Sequence, residues 1–324
     1  MEEQNPFAAR NYYQLHITPA NSAGTRPATP IVRLALLRSP STGYDCARGD
    51  EMKIGDDFKL NNGVQMPAFG LGTYLIGSGG DAVQVVLWAL EAGYRLVDTA
   101  TLYGNEREVG QAVKRSGLPR EEVFVTTKLW NTDHGYDKAI SACRASMREL
   151  GVEYLDLYLV HWPVPGLRGE SWRAMETLLG EGLCRAVGVS NYTVEHLDEL
   201  LTSARVVPAV NQVEFHPLLY QQELLEYCRD RGILLQAYSP LARTRGFTGK
   251  VVREIAARYA KTPPQVYLRW ALRHGVAVIP KSSNRERIRE NAGAFGFELS
   301  DEDMVALDSL GGDVHVSWDP AGEP

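Results

Sequence analysis

Four ionisable side chains in this 324-residue chain stand where they could act together. Asp98 lies in Val97-Asp98-Thr99-Ala100 and Tyr103 in Thr101-Leu102-Tyr103-Gly104-Asn105. Lys128 closes Thr126-Thr127-Lys128 ahead of Leu129-Trp130, and His161 closes Tyr158-Leu159-Val160-His161 ahead of Trp162-Pro163. Each alone is ordinary, since a lysine or aspartate in such a place is usually half of a structural ion pair and a lone tyrosine is usually core. Together they suggest chemistry. A lysine buried at the end of an apolar run needs a carboxylate, because an unpaired buried charge costs several kcal/mol; Asp98 can supply it. An ammonium held beside Tyr103 would depress the phenol below its ordinary pKa of ~10. Such a phenol can hand a proton to a developing alkoxide near neutral pH, while His161 orients a carbonyl oxygen. Nothing resembles a nucleophile with its base or a metal cage, so proton donation to an oxyanion fits these residue types best.

These groups need a scaffold that brings strand ends together. From residue 58 onward, short apolar runs alternate with amphipathic stretches of helical length. The runs are 68–73, 96–100, 123–129, 155–161, 184–190, 209–214, 233–239 and 276–281, mostly rich in branched or aromatic residues, as buried parallel strands are. The stretches between them carry readable ends: Asp81 as a cap and Gly93 as a stop, Gly117 and Gly151 as stops, Thr262 before Pro263-Pro264, and Ser300 before Asp301-Glu302-Asp303. Before the first run, 58–60 and 64–66 flank Asn61-Asn62-Gly63 and predict a hairpin. Strand–helix alternation repeated eight times predicts an α/β fold with a parallel sheet, either open and doubly wound or closed into a (β/α)8 TIM barrel. A hairpin able to plug the barrel bottom favours closure. The G-x-G-x-x-G fingerprint of an open dinucleotide-binding sheet is absent, because Gly70-Leu71-Gly72-Thr73-Tyr74-Leu75 lacks its third glycine.

Composition narrows the partners. Hydrophobic residues make up 44% and charged residues 23%, an ordinary globular balance, and the formal net charge is -6. A mildly acidic chain without basic blocks is a poor nucleic-acid binder, so an anionic ligand would need a local basic cluster. Cys46, Cys143, Cys184 and Cys228 stand far apart, which argues against a disulfide scaffold or zinc site and for free thiols in a reducing compartment. No apolar run approaches the ~20 residues needed to span a bilayer, and Arg33 interrupts the run 31–37. Residues 1–52 read as a poorly structured extension and 53–324 as the barrel domain. A cytoplasmic monomer is expected, with a small molecule as partner and neither nucleic acid nor membrane.

The wider text resembles the aldo-keto reductase family. Besides Asp98, Tyr103, Lys128 and His161, the likeness rests on Met66-Pro67-Ala68-Phe69-Gly70-Leu71-Gly72-Thr73, on the stretches 93–105 and 155–163, on Gly188-Val189-Ser190-Asn191, on 208–217, and on Ile279-Pro280-Lys281-Ser282 with Arg287, Glu290 and Asn291. It extends from residue 58 to about 320, with motifs in family order, and is nearest to short-loop bacterial and protozoal members such as diketogluconate or methylglyoxal reductases. It implies Tyr103 as general acid, Lys128 as its tuner, Asp98 as the lysine's partner and His161 as the group that positions the carbonyl. It also implies that Ser190, Asn191 and Gln212 hold a nicotinamide carboxamide, that Tyr238 stacks on the ring, and that Gly72, Thr73, Ser239 and Leu241 line the cofactor.

The segment 280–291 follows the eighth run and opens a helix. A helix N-terminus with hydroxyls, a lysine and an arginine suits a phosphate, although such a run is more often a solvated face. The resemblance places the adenosine 2′-phosphate on Lys281, Ser282, Asn284 and Arg287, with Glu290 and Asn291 toward the adenine, and so implies NADPH. Tyr74, Trp130, His161 and Trp162, with Trp318 from the tail, are expected to wall the substrate pocket. Short loops at 163–170 and 241–249 predict an open pocket for small aldehydes, α-dicarbonyls and ketones. Two rivals stand beside this reading: a non-catalytic NADP(H)-binding redox sensor of the same fold, and a metal-dependent barrel hydrolase.

Overall fold

The structure is a computed structural model and describes residues 52–322. Apart from Met52, the expected extension 1–52 lies outside the described residues, as does Cys46. The described chain opens with antiparallel strands β1 (Asp57–Lys59) and β2 (Gln65–Pro67), paired Phe58 to Met66. Their loop is one residue longer than an Asn-Gly turn requires: Leu60 N donates to Val64 O at 2.8 Å, and Gly63 N donates to Leu60 O at 2.9 Å. Only Gly63 takes a left-handed φ, +89°, which is the reason for glycine there. Phe58, Leu60 and Met66 are buried. Asn62 Nδ2 donates to Arg185 O at 2.9 Å and Asn61 Nδ2 to Pro208 O at 3.0 Å, both at the amino ends of barrel strands. The hairpin therefore seals the bottom of the barrel, as expected.

Eight parallel strands follow in sequential order: β3 (Gly70–Gly72), β4 (Leu96–Asp98), β5 (Phe124–Leu129), β6 (Leu155–Val160), β7 (Cys184–Ser190), β8 (Val210–Glu214), β9 (Leu234–Tyr238) and β10 (Ala277–Val278). Each falls inside one of the eight apolar runs. The sheet closes on itself through a parallel bridge between Phe69 and Val278, with Val278 N donating to Ala68 O at 2.9 Å and Gly72 N to Pro280 O at 3.2 Å. The seam explains Gly72, since a Cβ there would meet the Ile279 carbonyl oxygen at 2.8 Å. The fold is a (β/α)8 barrel.

The surrounding helices are α1 (Gly80–Glu91), α2 (Glu106–Arg115), α3 (Tyr136–Leu150), α4 (Arg168–Gly180), α5 (Val194–Leu201), α6 (Gln222–Asp230), α7 (Lys250–Arg258), α8 (Pro263–Arg273), α9 (Arg285–Ala292) and α10 (Asp301–Asp308). Several caps follow the sequence. Ser300 Oγ accepts from Asp303 N at 3.1 Å, and Thr193 with His196 closes a reciprocal capping box on α5. Two ends differ from expectation. Gly79, not Asp81, precedes α1, and Asp81 lies in its first turn, where a negative charge still favours the helix dipole. The sequence pattern outlines a helix over 171–180, whereas α4 starts three residues before Ser171, because buried Arg168 donates from Nε to Pro163 O at 3.1 Å and pairs with Glu199. Each fully buried Leu or Phe in this shell contributes about 1.5–3 kcal/mol.

Candidate active site

Parallel strands turn the carboxyl end of every barrel strand toward one rim. Asp98 is the last residue of β4, Lys128 lies one before the end of β5, and His161 follows β6 directly, its N–H donating to Leu129 O at 3.1 Å. Tyr103 ends a single 3-10 turn, Thr101–Tyr103, just after β4. That turn is tied down on both sides. Thr101 Oγ1 donates to Lys128 O at 3.2 Å. Asn105 Nδ2 donates to Thr73 O at 3.1 Å and Ile76 O at 3.0 Å, while its Oδ1 accepts from Thr99 Oγ1 at 2.7 Å. Asn105 thus precedes α2 without capping it by its side chain.

The four chemical groups meet. Lys128, fully buried, donates from Nζ to Asp98 Oδ1 at 2.5 Å, Thr99 O at 2.9 Å and Tyr103 Oη at 3.3 Å. Three acceptors match the three hydrogens of an ammonium. Asp98 takes a further bond on Oδ2 from Gln212 Nε2, at 2.7 Å. Burial raises the Asp98 carboxyl and lowers the Lys128 amine, opposed in each case by the partner's charge and by their hydrogen bond. The ring of His161 lies edge-on to Tyr103, with centroids 5.7 Å apart. Burial, then the positive charge of Lys128, holds His161 well below the ordinary histidine value. It is a neutral imidazole at physiological pH, able to donate one N–H.

One expectation is corrected. The ammonium does not make the Tyr103 phenol acidic at neutral pH. Burial, and next the negative charge of Asp98, push it well above its ordinary value. The phenol keeps its proton, and because Lys128 donates to its oxygen, that proton is left for another acceptor.

The expected pocket walls cluster around this centre. Tyr74 packs on Tyr103 at 5.0 Å and Trp130 on His161 at 5.2 Å, both centroid to centroid. Trp162 meets Trp318 edge to face at 6.0 Å. Leu75 and Leu102, which sequence reasoning missed, are exposed beside Tyr74 and Tyr103 in the chain.

The residues expected at the cofactor form two groups. In the first, Ser190 Oγ donates to Gln212 O at 2.8 Å, Asn191 Nδ2 donates to His161 O at 2.9 Å, and Tyr238 Oη donates to Asn191 Oδ1 at 2.8 Å. Gln212 spends both amide hydrogens, on Asp98 and on Gln236 Oε1 at 2.7 Å. Thr73 is buried, with its hydroxyl donating to Asp98 O at 2.9 Å. Ser239 and Leu241 begin the loop after β9, Ser239 with a positive φ of 47°. In the second group, Asn284 caps α9, accepting from Arg287 N at 3.0 Å, and Ser282 Oγ accepts from Asn284 N at 3.1 Å. Lys281 and Arg287 are exposed and enter no ion pair among the described residues; Glu290 is half-buried and Asn291 buried. Gln236 and Asn105 were also missed. A lone glutamine inside the buried run Leu234-Leu235-Gln236-Ala237 was a readable signal, whereas Asn105 carries none, being one polar residue at the end of a polar loop.

A phenol, an ammonium, a carboxylate and an imidazole on one barrel rim make a site for acid–base work on a small molecule. Comparison with known proteins gives it a family. A sequence model of the Aldo/keto reductase family matches residues 68–311. Glyoxal reductase of Bacillus subtilis is 49% identical over 267 residues, covering 82% of this chain and 97% of that protein. The crystal structure of an aldo-keto reductase from a Medee basin deep-sea metagenome library superposes with a TM-score of 0.79 at 45% identity, covering 81% of this chain and 97% of that one. Bombyx mori aldo-keto reductase in complex with NADP superposes with a TM-score of 0.74 at 35% identity, covering 80% and 94%. The chain belongs to the aldo/keto reductase family. It is an oxidoreductase, and carbonyl reduction is its reaction class. Among the described residues no helix is long and apolar enough to cross a membrane, and no cluster of His, Cys, Asp and Glu could hold a metal ion.

Proposed function

We propose that the chain reduces small aldehydes, α-dicarbonyls and ketones to alcohols with NADPH, and that Tyr103 is the general acid. The observation that carries this reading is the double reach of Lys128, at once on the carboxylate of Asp98 and on the phenol oxygen of Tyr103. When bound, the reduced nicotinamide supplies the hydride for the carbonyl carbon. Tyr103 gives its proton to the carbonyl oxygen as negative charge builds there, and the phenolate left behind is stabilised by the adjacent ammonium. Asp98 holds Lys128 charged and in place. Neutral His161 donates a hydrogen bond that fixes the direction of the carbonyl oxygen.

The cofactor residues fit the group they would hold. Lys281 and Arg287, in no ion pair among the described residues, offer positive charge at the N-terminus of α9, which suits a 2′-phosphate, with Ser282 and Asn284 alongside. Glu290 and Asn291 would meet the adenine and Tyr238 the nicotinamide ring. Ser190, Asn191 and Gln212 would take the carboxamide. Gln212 would do so through its oxygen, since its amide hydrogens are engaged. Gly72, Thr73, Ser239 and Leu241 would line the rest. Broad specificity is supported by short connections after β6 and β9, and the small-dicarbonyl preference by the likeness to glyoxal reductase. The test is NADPH consumption against a panel of carbonyls, with Tyr103→Phe beside the native enzyme. The variant is expected to bind NADPH normally and to lose turnover by about 10²–10⁴-fold. Unchanged turnover would remove Tyr103 from the mechanism, and no turnover by the native protein on any carbonyl would favour the sensor.

A further inference from the structure

Glu214 ends β8, two residues beyond Gln212, in a run where every side chain is buried. It is 2% exposed, yet its carboxylate has no arginine or lysine partner among the described residues. Its ligands come from elsewhere. His216 Nε2 contacts Oε1 at 2.9 Å, donating in the tautomer that carries hydrogen there. Val316 N donates to the same oxygen at 2.7 Å, and Ser317 N to Oε2 at 3.0 Å. His315 Nδ1 lies 3.8 Å from Oε2. A buried carboxylate therefore grips two successive backbone amides of a segment 102 residues away in sequence. Hydrogen bonds to an ionised acceptor are the stronger kind; the stretch itself lies outside regular elements, between α10 and the 3-10 turn Pro320–Gly322, and is tied as well by Val314 N donating to Leu218 O at 3.2 Å and by buried Val316. The next residue is Trp318, 62% exposed, with its ring edge-on to Trp162. Ser317 itself lies beside the phenol of Tyr238.

We propose that Glu214 is a positioning residue: it clamps the carboxyl-terminal segment so that Trp318 stands as a fixed wall of the substrate mouth, and it thereby sets how tightly aromatic carbonyls are held beside the small ones. The proposal rests on the reading that Trp318 contacts substrate. The grip is made before any substrate arrives, so a bulky apolar substrate meets a wall whose ordering cost has already been met within the fold. A two-carbon dicarbonyl is too small to depend on it to the same degree.

The test compares Glu214→Gln, Trp318→Ala and the double variant with the native holoenzyme, using a benzaldehyde and glyoxal as substrates. Hydrogen–deuterium exchange of the peptide containing residues 314–319 supplies a readout independent of turnover. Gln keeps the shape but turns one acceptor into a donor facing an N–H. Trp318→Ala is expected to raise KM for the benzaldehyde about three- to tenfold, the value of one aromatic contact, and to raise KM for glyoxal by a smaller factor. Glu214→Gln should reproduce that split, speed exchange at Val316 and Ser317, and add nothing to Trp318→Ala in the double variant. Native-like protection of the two amides in Glu214→Gln, or a KM effect that adds in full to that of Trp318→Ala, would overturn the clamp. If Trp318→Ala leaves the benzaldehyde KM unchanged, the wall itself is wrong; exchange then reports on the clamp alone. Should Glu214→Gln fail to fold, Glu214→Asp, which keeps the charge but draws it back by one methylene, must show the same signs at reduced size.

Discussion

Tyr103 sits under two opposed influences, and their balance decides what kind of acid it is. Burial and Asp98 keep its proton on, while Lys128 waits beside the oxygen to stabilise what remains once the proton leaves. In the role proposed for it, such a phenol would be a loaded donor, with its driving force arriving only as a substrate oxygen turns negative. The opposition was hidden in the sequence. Residue types and spacing pointed to the pairing of Lys128 with Asp98, but the dielectric around Tyr103 depends on Tyr74, Tyr238 and His161, which converge only in the folded barrel. His134 makes a second prediction at this scale. It is 3% exposed, both its ring nitrogens lack hydrogen-bond partners among the described residues, and burial lowers it to about 4 from 6.5. The unfolded chain therefore binds the proton more readily, so its contribution to stability is full above about pH 6.5 and falls as pH drops toward 4. His161 and His274, also lowered, steepen the same slope. Melting curves between pH 7 and pH 5 should show Tm falling less in His134→Asn than in the native chain, and equal slopes would refute the assignment.

Strands were more legible than helix ends. The eight runs needed only apolar composition and length to be found, because a strand buried on both faces leaves few other choices. Helix starts depend on where a loop becomes tied down. The early start of α4 comes from Arg168 reaching back to Pro163 O, a contact that no local pattern announces. Closure was a preference between two arrangements until the seam appeared, since the bond from Gly72 to Pro280 joins residues far apart in the chain. In sequence Gly72 stands only in a broken glycine fingerprint and a family motif, whereas the structure gives it a packing reason. Gly72→Ala should cost about 1–3 kcal/mol, because the obstructing atom is backbone and cannot swing aside. Chemical denaturation measures this directly; an unchanged midpoint would mean that the seam yields freely.

For the molecule as a whole, charge is distributed so that a net value of -6 coexists with a local pair of exposed cations, Lys281 and Arg287, proposed above to hold a phosphate. Lys281 and Arg287 enter no ion pair among the described residues, while nearby Arg285 is paired with Glu91 at 3.0 Å. Lys281→Ala is expected to raise KM for NADPH about tenfold or more and to leave KM for NADH nearly unchanged, since only the former carries the extra phosphate. Equal effects on both would place the phosphate elsewhere. This basic pair was legible in sequence as a cluster, but its freedom from ion-pair partners among the described residues was not, because Arg285 and Arg287 look alike until Glu91 is seen beside one of them.

The seam has a consequence for how the barrel behaves as a vessel. Its first and last staves meet through short strands, and the positively charged segment begins three residues after β10 ends. A dinucleotide gripped at that corner while its other end rests near Tyr238 would work as a latch across the joint. Loading the cofactor would then stiffen the wall where it is most thinly fastened, and an empty barrel would leak there first.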